Sequence, residues 1–357
     1  MDIVELSLTI DSRDLYMSPP FELGPIRPVD EADSLLIRTT RNCPWNKCGF
    51  CVNYRGKKFS IRSTADIKND IEAAADYYNG HRFTRCFLQD GDSLVMKTKD
   101  LLEILHHLKK YFPTLEIISS YGRSQSIIRK SSQELKEICG AGLNLLYCGM
   151  ESGSDSVLNL INKGVTASQV IRAGNLAKQA NMRLSEFIIL GLGGTEHWQE
   201  HATATAEALN AINPDKIRVL TIGIKAGSDL QSKWENGTFS LQTEENIIEE
   251  QQLLIEDLNG ITSHYANHHS VDLLMELRGQ LPKDKTKLLS ILETFLNLNE
   301  HDKLNFILGR RLGIYRRLND LENSSLYLLV DRKLQDIGAS KRADFEQIFH
   351  SLRAQVV

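Results

Sequence analysis

Residues 41–51 read RNCPWNKCGFC, and this stretch places Cys43, Cys48 and Cys51 on one short loop in a C-x4-C-x2-C pattern. The loop follows directly on an apolar run at 34–39 that predicts a strand. Thiolates bind soft metals, and three of them on one loop can hold three corners of an iron–sulfur cube. A closed tetrahedral zinc site would need a fourth Cys or His ligand. The stretch therefore predicts a metal centre with one open position.

The other cysteines do not supply a fourth ligand. Cys86, Cys139 and Cys148 each lie in or beside an apolar run, where a buried thiol is the default. His81 is the nearest histidine, and it follows Gly80 at a predicted helix end, so we expect it to cap the helix or lie on the surface. From the residues alone, a non-catalytic zinc or electron-transfer protein stays open as an alternative.

The composition bounds the class of protein. The 357 residues are 41% apolar and 25% charged, which fits a chain with a sizeable core and excludes a disordered or fibrous protein. The formal net charge of −4 argues against a protein that holds nucleic acid mainly by neutralising phosphates. The sequence contains no apolar run of about 18 residues, and its start does not look like a secretory signal. We expect a cytoplasmic protein with reduced thiols and no membrane partner.

Apolar runs alternate with amphipathic stretches from residue 34 to about 222, which is typical of βα units around a parallel sheet. The pattern predicts six strands, at 34–39, 85–89, 116–121, 145–151, 184–190 and 217–222. It predicts helices at 65–79 with Thr64 as N-cap, and at 98–111, 131–139, 167–180 and 196–212. Units of this size favour an α/β fold with a partial (β/α)6 TIM-like barrel, although a doubly wound sheet fits the same pattern.

The pattern divides the chain into three parts. We expect an N-terminal extension at 1–33, the barrel at 34–224, and a mainly helical C-terminal extension at 225–357 that covers the barrel or the substrate. Helices are predicted in that last part at 243–258 and 284–298. Its densest charge consists of two arginine pairs, at 310–311 and 316–317, and we expect both pairs on a solvated helix face.

The cysteine loop resembles that of the radical S-adenosylmethionine (SAM) superfamily, in which the loop follows the first strand of a six-unit barrel. In that family an aromatic residue, here Phe50, precedes the last cysteine. The usual family spacing is C-x3-C-x2-C, so this loop is one residue longer. The resemblance implies a [4Fe–4S] cluster on Cys43, Cys48 and Cys51 whose open iron binds SAM. It also implies reductive cleavage of SAM to a 5′-deoxyadenosyl radical that abstracts hydrogen from a substrate.

Two strand-end segments extend the resemblance. Residues 89–92 read QDGD and end the second strand, where the family places a Gly-rich turn against the methionine ammonium. Residues 187–194 read FIILGLGG and resemble the G-x-I-x-G-x-x-G motif that meets adenine, although the acidic residue of some relatives is here Phe187 or displaced to Glu186. The implied SAM contacts in these segments are Asp90, Gly91, Asp92, Ile189 and Gly191.

A third segment, residues 147–154, reads YCGMESGS and looks like the corresponding part of the oxygen-independent coproporphyrinogen oxidases and their relatives. In that branch the strand-end position contacts the SAM ribose, and a cation twelve residues later pairs with the SAM carboxylate. Glu151 and Lys163 occupy these positions here. The resemblance therefore implies that both residues bind SAM.

Residues for substrate are harder to identify. Tyr121 and Arg123 follow the third strand at the predicted barrel mouth, where relatives often carry polar residues. His268 and His269 form the most reactive polar patch of the C-terminal part, and one of them could contact substrate or donate a proton. These four residues are our candidates for substrate contact.

Within this interpretation we expect a small organic substrate, with tetrapyrroles, nucleosides and modified nucleobases as the classes considered, and a flavodoxin- or ferredoxin-type reductant. The alternative substrate is tRNA or a peptide, for which the arginine pairs are the only support, and we do not expect a nucleic-acid partner. No second cysteine cluster follows residue 222, which argues against peptide maturases with auxiliary clusters. We also do not expect a B12-dependent methyltransferase of the common layout, because too few residues precede the barrel for a cobalamin-binding domain.

Overall fold

The computed structural model describes residues 19–267, 269–338 and 342–355. Its strands are β1 (Leu35–Arg38), β2 (Thr40–Arg41), β3 (Ser60–Ile61), β4 (Arg85–Gln89), β5 (Ile117–Gly122), β6 (Leu143–Glu151), β7 (Arg183–Leu190), β8 (Lys216–Thr221), β9 (His264–Asn267) and β10 (Arg278–Gln280). Its helices are α1 (Thr64–Tyr77), α2 (Thr98–Tyr111), α3 (Ser124–Ile127), α4 (Ser132–Ala141), α5 (Asp155–Leu160), α6 (Ala167–Gln179), α7 (Gly194–Ile212), α8 (Asp229–Glu235), α9 (Glu244–Asp257), α10 (Lys285–Leu296), α11 (Glu300–Arg311), α12 (Ser324–Ile337) and α13 (Arg342–Gln355). Short 3-10 turns lie at Val29–Glu31, Ser93–Val95 and Leu318–Glu322.

The main sheet contains eight strands in the order β1-β4-β5-β6-β7-β8-β9-β10. Every neighbouring pair from β1 to β9 is parallel, and β10 pairs with β9 antiparallel. The strands follow one another in chain order without the reversal that creates the switch point of a doubly wound sheet. The predicted α/β class with a partial barrel and a mainly helical C-terminal extension is confirmed.

The helices form where apolar side chains recur on one face. On α1 the buried residues are Ile67, Ile71 and Ala74, which repeat at helical spacing. Each predicted strand and helix agrees with the observed element to within two residues at either end. The N-cap of α1 is Ser63 rather than the predicted Thr64, because the Ser63 hydroxyl accepts the backbone N–H of Asp66 at 3.1 Å.

Two strands of the main sheet were not predicted, and neither was the small two-stranded sheet of β2 and β3. β9 and β10 come from the C-terminal part of the chain and extend the sheet from the six strands expected to eight. β9 reads HYAN, a short segment without the apolar run that identified the other strands. It becomes a strand because Tyr265 and Ala266 are fully buried and because its backbone pairs with β8 on one side and β10 on the other.

The arginine pair at 310–311 does not lie on a solvated helix face, which corrects the expectation from charge density. Both side chains are buried. Arg311 donates Nε–H to Glu244 Oε1 at 2.9 Å, and Arg310 donates to the carbonyl oxygens of Leu273 and Asp272 at 2.8 and 2.9 Å. These guanidinium groups therefore hold α11 to α9 and to the loop after β9. The pair at 316–317 is exposed, as expected.

The segment before β1 folds against the barrel. The side chain of Gln89 binds the backbone of Gly24 and Ile26, with the Gly24 N–H donating to Gln89 Oε1 at 2.9 Å. Further along, the fully buried Glu31 accepts hydrogen bonds from Arg85 at 2.5 Å and from the Tyr147 hydroxyl at 2.6 Å. The segment thus runs along the barrel from the C-terminal end of β4 to the N-terminal end of the same strand, where it covers the barrel interior.

Candidate active site

The three cysteines of the loop line one cavity of about 280 Å³ at the C-terminal end of the sheet. The loop is fixed from several sides: the Gly49 N–H donates to the Ile161 carbonyl at 2.7 Å, and the Trp45 indole donates to the Asn162 carbonyl at 2.8 Å. At its start, the Asn42 N–H donates to Asp90 Oδ2 at 3.0 Å. The backbone of the loop thus holds its thiols toward a common space.

Two of the thiols are partly buried, so that their thiolate form needs a neighbouring positive charge. Burial raises the pKa of Cys48 to about 11 despite the nearby Lys163 ammonium, and burial also raises the pKa of Cys51. A desolvated thiolate needs a neighbouring positive charge, which bound iron supplies. Among the described residues, no three His, Cys, Asp or Glu side chains surround a single ion position. The ligands of an iron–sulfur cube bind different irons and lie farther apart, so the donor set fits a cluster.

Glu151 and Lys163 form an ion pair on the wall of the same cavity, with Nζ and Oε1 2.6 Å apart. Burial lowers the pKa of Lys163, but the Glu151 carboxylate and Cys48 outweigh it, so that the pKa is raised overall. Glu151 lies at an irregularity in the β6–β7 pairing and has φ +63°, a left-handed conformation. The carboxylate reaches over Gly149, where a Cβ atom would lie 2.2 Å from Oε1.

Arg123 also lines the cavity. Its guanidinium lies over the Trp45 ring, 5.6 Å from the centroid. Its Nη2 atom is buried and has no hydrogen-bond partner among the described residues. The wall therefore carries a second cation beside Lys163, and a guanidinium is a group that can bind a carboxylate.

The three residues of the turn after β4 that were predicted to contact SAM lie in different places. Gly91 lines the cavity, and a Cβ atom there would approach the Asn42 carbonyl oxygen to 3.0 Å. The two carboxyl groups are absent from the cavity wall. Asp90 pairs with the Arg38 guanidinium, and Asp92 accepts the Leu94 N–H at 3.1 Å and the hydroxyl of the α3 residue Ser126 at 2.5 Å. Burial raises the pKa of Asp92 to about 6.

On the apolar side, Phe50 and Ile189 line the cavity together and belong to one hydrophobic cluster. Gly191 lies just beyond the cavity wall with φ +84°, and its N–H donates to the Glu250 carboxylate at 3.2 Å. Phe187 lines the cavity, whereas Glu186 does not. Burial raises the pKa of Glu186 to about 8, and its Oε2 atom has no partner among the described residues.

The substrate candidates fall in different places. Tyr121 lines the cavity, and burial raises its pKa. His268 lies outside the described residues. His269 is not part of the cavity wall: its N–H donates to Asp272 Oδ2 at 3.1 Å, and its Nδ1 accepts the Val271 N–H at 3.2 Å.

One part of the site was not predicted, namely its aromatic floor. The rings of Tyr147 and Phe187 line the cavity beside Tyr121, and the Arg218 guanidinium lies over them at 5.1 and 5.5 Å from the two centroids. Arg218 is held by an ion pair to Asp30 of the N-terminal segment. The alternating positions 185, 187 and 189 on β7 indicate one face of the strand, which is directed into the barrel. No local sequence pattern indicates Asp30 and Glu31, the acidic partners that precede β1.

Comparison with known proteins shows which family model and which relatives this chain matches. Residues 37–205 match the model of the radical SAM superfamily. A curated relative, bacteriochlorophyllide d C-8(2)-methyltransferase of Chlorobaculum tepidum, is 32% identical over 141 residues, which cover 38% of this chain and 30% of the relative. An uncharacterized methyltransferase of Pyrococcus horikoshii is 26% identical over 203 residues, which cover 55% of this chain and 41% of the relative. The chain thus spans less than half the length of either relative.

Among solved structures, the cobalamin-dependent SAM radical enzyme OxsB, with aqua-cobalamin and SAM bound, matches with a TM-score of 0.50 at 14% identity. The match covers 90% of this chain and 58% of OxsB. This likeness extends over the barrel and most of the C-terminal extension, and it concerns the fold. None of the helices in the described ranges is long and apolar enough to cross a membrane.

Proposed function

Since residues 37–205 belong to the radical SAM superfamily, whose cofactors are a [4Fe–4S] cluster and SAM, we propose that Cys43, Cys48 and Cys51 hold the cluster in this chain. Bound together, the two cofactors supply reductive cleavage of SAM to a 5′-deoxyadenosyl radical, which we propose abstracts hydrogen from a small organic substrate. The observation that carries the proposal is that three cysteines, the Glu151–Lys163 ion pair and Arg123 line one cavity.

The cavity wall suggests how SAM is oriented. Lys163 is already paired with Glu151, while Arg123 has unused donors, so we propose that Arg123 joins Lys163 in binding the SAM carboxylate. Glu151 then accepts hydrogen bonds from the ribose hydroxyls. Phe50 and Ile189 offer an apolar surface for adenine. Each group of SAM therefore meets a wall of matching polarity.

The turn after β4 has a different part in this proposal. Neither Asp90 nor Asp92 lines the cavity, and Asp90 Oδ2 and Asp92 Oδ2 bond to Arg38 and Ser126. We therefore assign the methionine ammonium to the backbone around Gly91, which lines the cavity. In this arrangement the two acids act indirectly: Asp90 fixes the start of the cysteine loop, and Asp92 fixes the turn.

We propose a small substrate because the cavity is small and because the segment before β1 covers the barrel interior at the N-terminal ends of the strands. The floor is formed by Tyr121, Tyr147 and Phe187, which favours a planar or apolar molecule. A flavodoxin- or ferredoxin-type protein is the proposed electron donor. The tRNA alternative loses part of its support, since the arginines at 310–311 are buried and cannot reach phosphate groups.

The test is anaerobic reconstitution of the chain with iron and sulfide, followed by iron analysis, electron paramagnetic resonance of the reduced protein, and assay of SAM products. We expect about four irons per chain and reductant-dependent release of 5′-deoxyadenosine. Cys48→Ala should lose both, while Cys139→Ala, a thiol outside the cavity, should keep both. Failure of the parent chain to bind iron and to cleave SAM would reject the proposal.

A second candidate is methyl transfer, which the names of both curated relatives favour. The same product assay separates the candidates. Methyl transfer from SAM yields S-adenosylhomocysteine, and hydrogen abstraction yields 5′-deoxyadenosine. Reductant-independent S-adenosylhomocysteine as the main product would favour methyl transfer alone.

A further inference from the structure

A buried acid–base pair lies behind the cavity, and neither of its members belongs to the cavity wall. His201 on α7 is 1% exposed and Glu250 on α9 is fully buried. The His201 Nδ1 and the Glu250 Oε1 are 2.7 Å apart. Burial of an ionisable pair is unfavourable unless each member is hydrogen-bonded on its remaining sides, so the other contacts of the pair matter.

Those contacts go to the backbone at two strand ends. On one side, the His201 Nε2 lies 3.3 Å from the carbonyl oxygen of Glu151 at the end of β6. On the other side, both carboxylate oxygens of Glu250 accept the N–H of Gly191, which directly follows β7, at 3.2 Å each. Both ring nitrogens of His201 are thus engaged, one with the Glu250 carboxylate and one with the end of β6.

The two backbone positions need support from outside their strands. Glu151 has φ +63° at an irregularity in the strand pairing, and Gly191 has φ +84° at a turn. Glu151 is the last residue of β6 that pairs with β7, opposite Ile188, and Gly191 lies beyond the pairing of β7 with β8, so sheet pairing holds Glu151 on one side and does not extend to Gly191. The His201–Glu250 pair connects them across neighbouring strands, so a displacement of one strand end is transmitted to the other.

We propose that His201 and Glu250 are positioning residues that set the separation of Glu151 and Gly191 and thereby the affinity of the cavity for SAM. This inference rests on the proposed function, in which the β6 end meets the ribose and the β7 end meets the adenine. The pair touches neither cofactor. It acts through two hydrogen-bonded backbone groups.

The experiment compares two variants of the reconstituted protein with a matched control. Glu250→Leu removes the acceptor of both hydrogen bonds. Glu250→Gln is the conservative variant: its amide oxygen can still accept the Gly191 N–H and its amide nitrogen can donate to His201 Nδ1, so that the His201 Nε2–H keeps its bond to the Glu151 carbonyl. The control, Gln251→Leu, removes the neighbouring buried side chain on α9, which donates to Tyr265 and Asn267 at 2.7 Å each.

The readouts are the Kd for radiolabelled SAM by anaerobic equilibrium dialysis, the iron content, and the midpoint of thermal unfolding. We expect the Leu variant at position 250 to weaken SAM binding by about tenfold and the conservative Gln variant to stay within about twofold of the parent, with iron content unchanged in both. The control should lower the unfolding midpoint comparably and leave the Kd within about twofold.

Two results would overturn the inference: a Kd unchanged in the Leu variant at position 250, or a loss of affinity in the control as large as in the Leu variant. If Glu250→Leu does not fold, His201→Asn decides: its amide can still donate to Glu250 but does not reach the Glu151 carbonyl, and an unchanged Kd in this variant would equally overturn the inference. Failure of the proposed function is distinguished by the parent chain, which would then bind no SAM at all. A parent that binds SAM tightly, with affinity insensitive to position 250, rejects only the positioning role.

Discussion

Replacing Gly149 by Ala tests the centre of the cavity wall without removing any charge. A Cβ atom at this position would lie 2.2 Å from Glu151 Oε1 and 3.1 Å from Lys163 Nζ. Ordinary contacts of a Cβ atom begin near 3.4 Å. The Glu151 carboxylate must therefore move by about 1 Å, which is enough to break its 2.6 Å contact with Lys163.

The expected size follows from two contributions. Overpacking costs about 1–3 kcal/mol, and the lower end applies here because the displaced atom ends a flexible side chain beside the cavity. A hydrogen bond between charged groups contributes about 1.5–3 kcal/mol when buried, and less here because the two side chains remain 14% and 11% exposed. We expect the free energy of unfolding to fall by about 2 kcal/mol in the protein without cofactors. We also expect SAM binding by the reconstituted protein to weaken by about tenfold.

Urea denaturation followed by circular dichroism measures the first quantity, and equilibrium dialysis measures the second. The matched control is Gly140→Ala, an exposed helix position where a Cβ atom meets nothing within 4 Å. That variant should be more stable than the parent by about 0.5–1 kcal/mol, because alanine favours the helix. A Gly149 variant as stable as the parent, with unchanged SAM affinity, would refute the steric reasoning.

Three further predictions concern other parts of the molecule. Burial raises the pKa of Glu186 from 4.5 to about 8, so between these pH values the folded chain holds a proton that the unfolded chain has lost. The free energy of unfolding should therefore fall by up to about 1.4 kcal/mol for each pH unit as the pH rises from 4.5 to 8. Glu186→Gln should flatten that slope in urea titrations at pH 5, 6.5 and 8, and an unchanged slope would contradict this. Gly164→Ala places a Cβ atom 2.4 Å from the Trp45 ring at φ +74°, so iron content after reconstitution should fall, and full iron content would argue against a tightly held loop. Glu244→Gln leaves the buried Arg311 without its counter-charge and should cost about 3–5 kcal/mol in urea denaturation, whereas a loss under about 1 kcal/mol would show that water compensates the charge.

The sequence predicted the elements whose signal is local. The apolar runs that became β4 to β8 are buried on both faces of the sheet, so each run is visible without knowledge of its neighbours. The cysteine loop was visible for the same reason, because its three cysteines lie within nine residues. The family prediction made from this loop is confirmed by the superfamily match.

Contacts between distant residues could not be predicted in this way. The sequence suggested that Arg311 is a surface charge, but it is buried because it bonds to Glu244, 67 residues earlier in the chain, and to the Val271 carbonyl. The same holds for Arg218 and Asp30, which are 188 residues apart and together support the aromatic floor. The strand β9 is a third case, since its polar sequence adopts a strand because two neighbours pair with it.

The pairing of β8 with β9 bears on how this enzyme can be recombined with its relatives. Residues of β9 continue the same hydrogen-bonded sheet that carries the cysteine loop, although more than forty residues separate the two strands in the chain. A chimera joined just after β8 would leave that strand with unpaired backbone groups at a new sheet edge, which invites aggregation. Exchange of the C-terminal extension between homologues should therefore use crossover points beyond β10, where only helices are transferred.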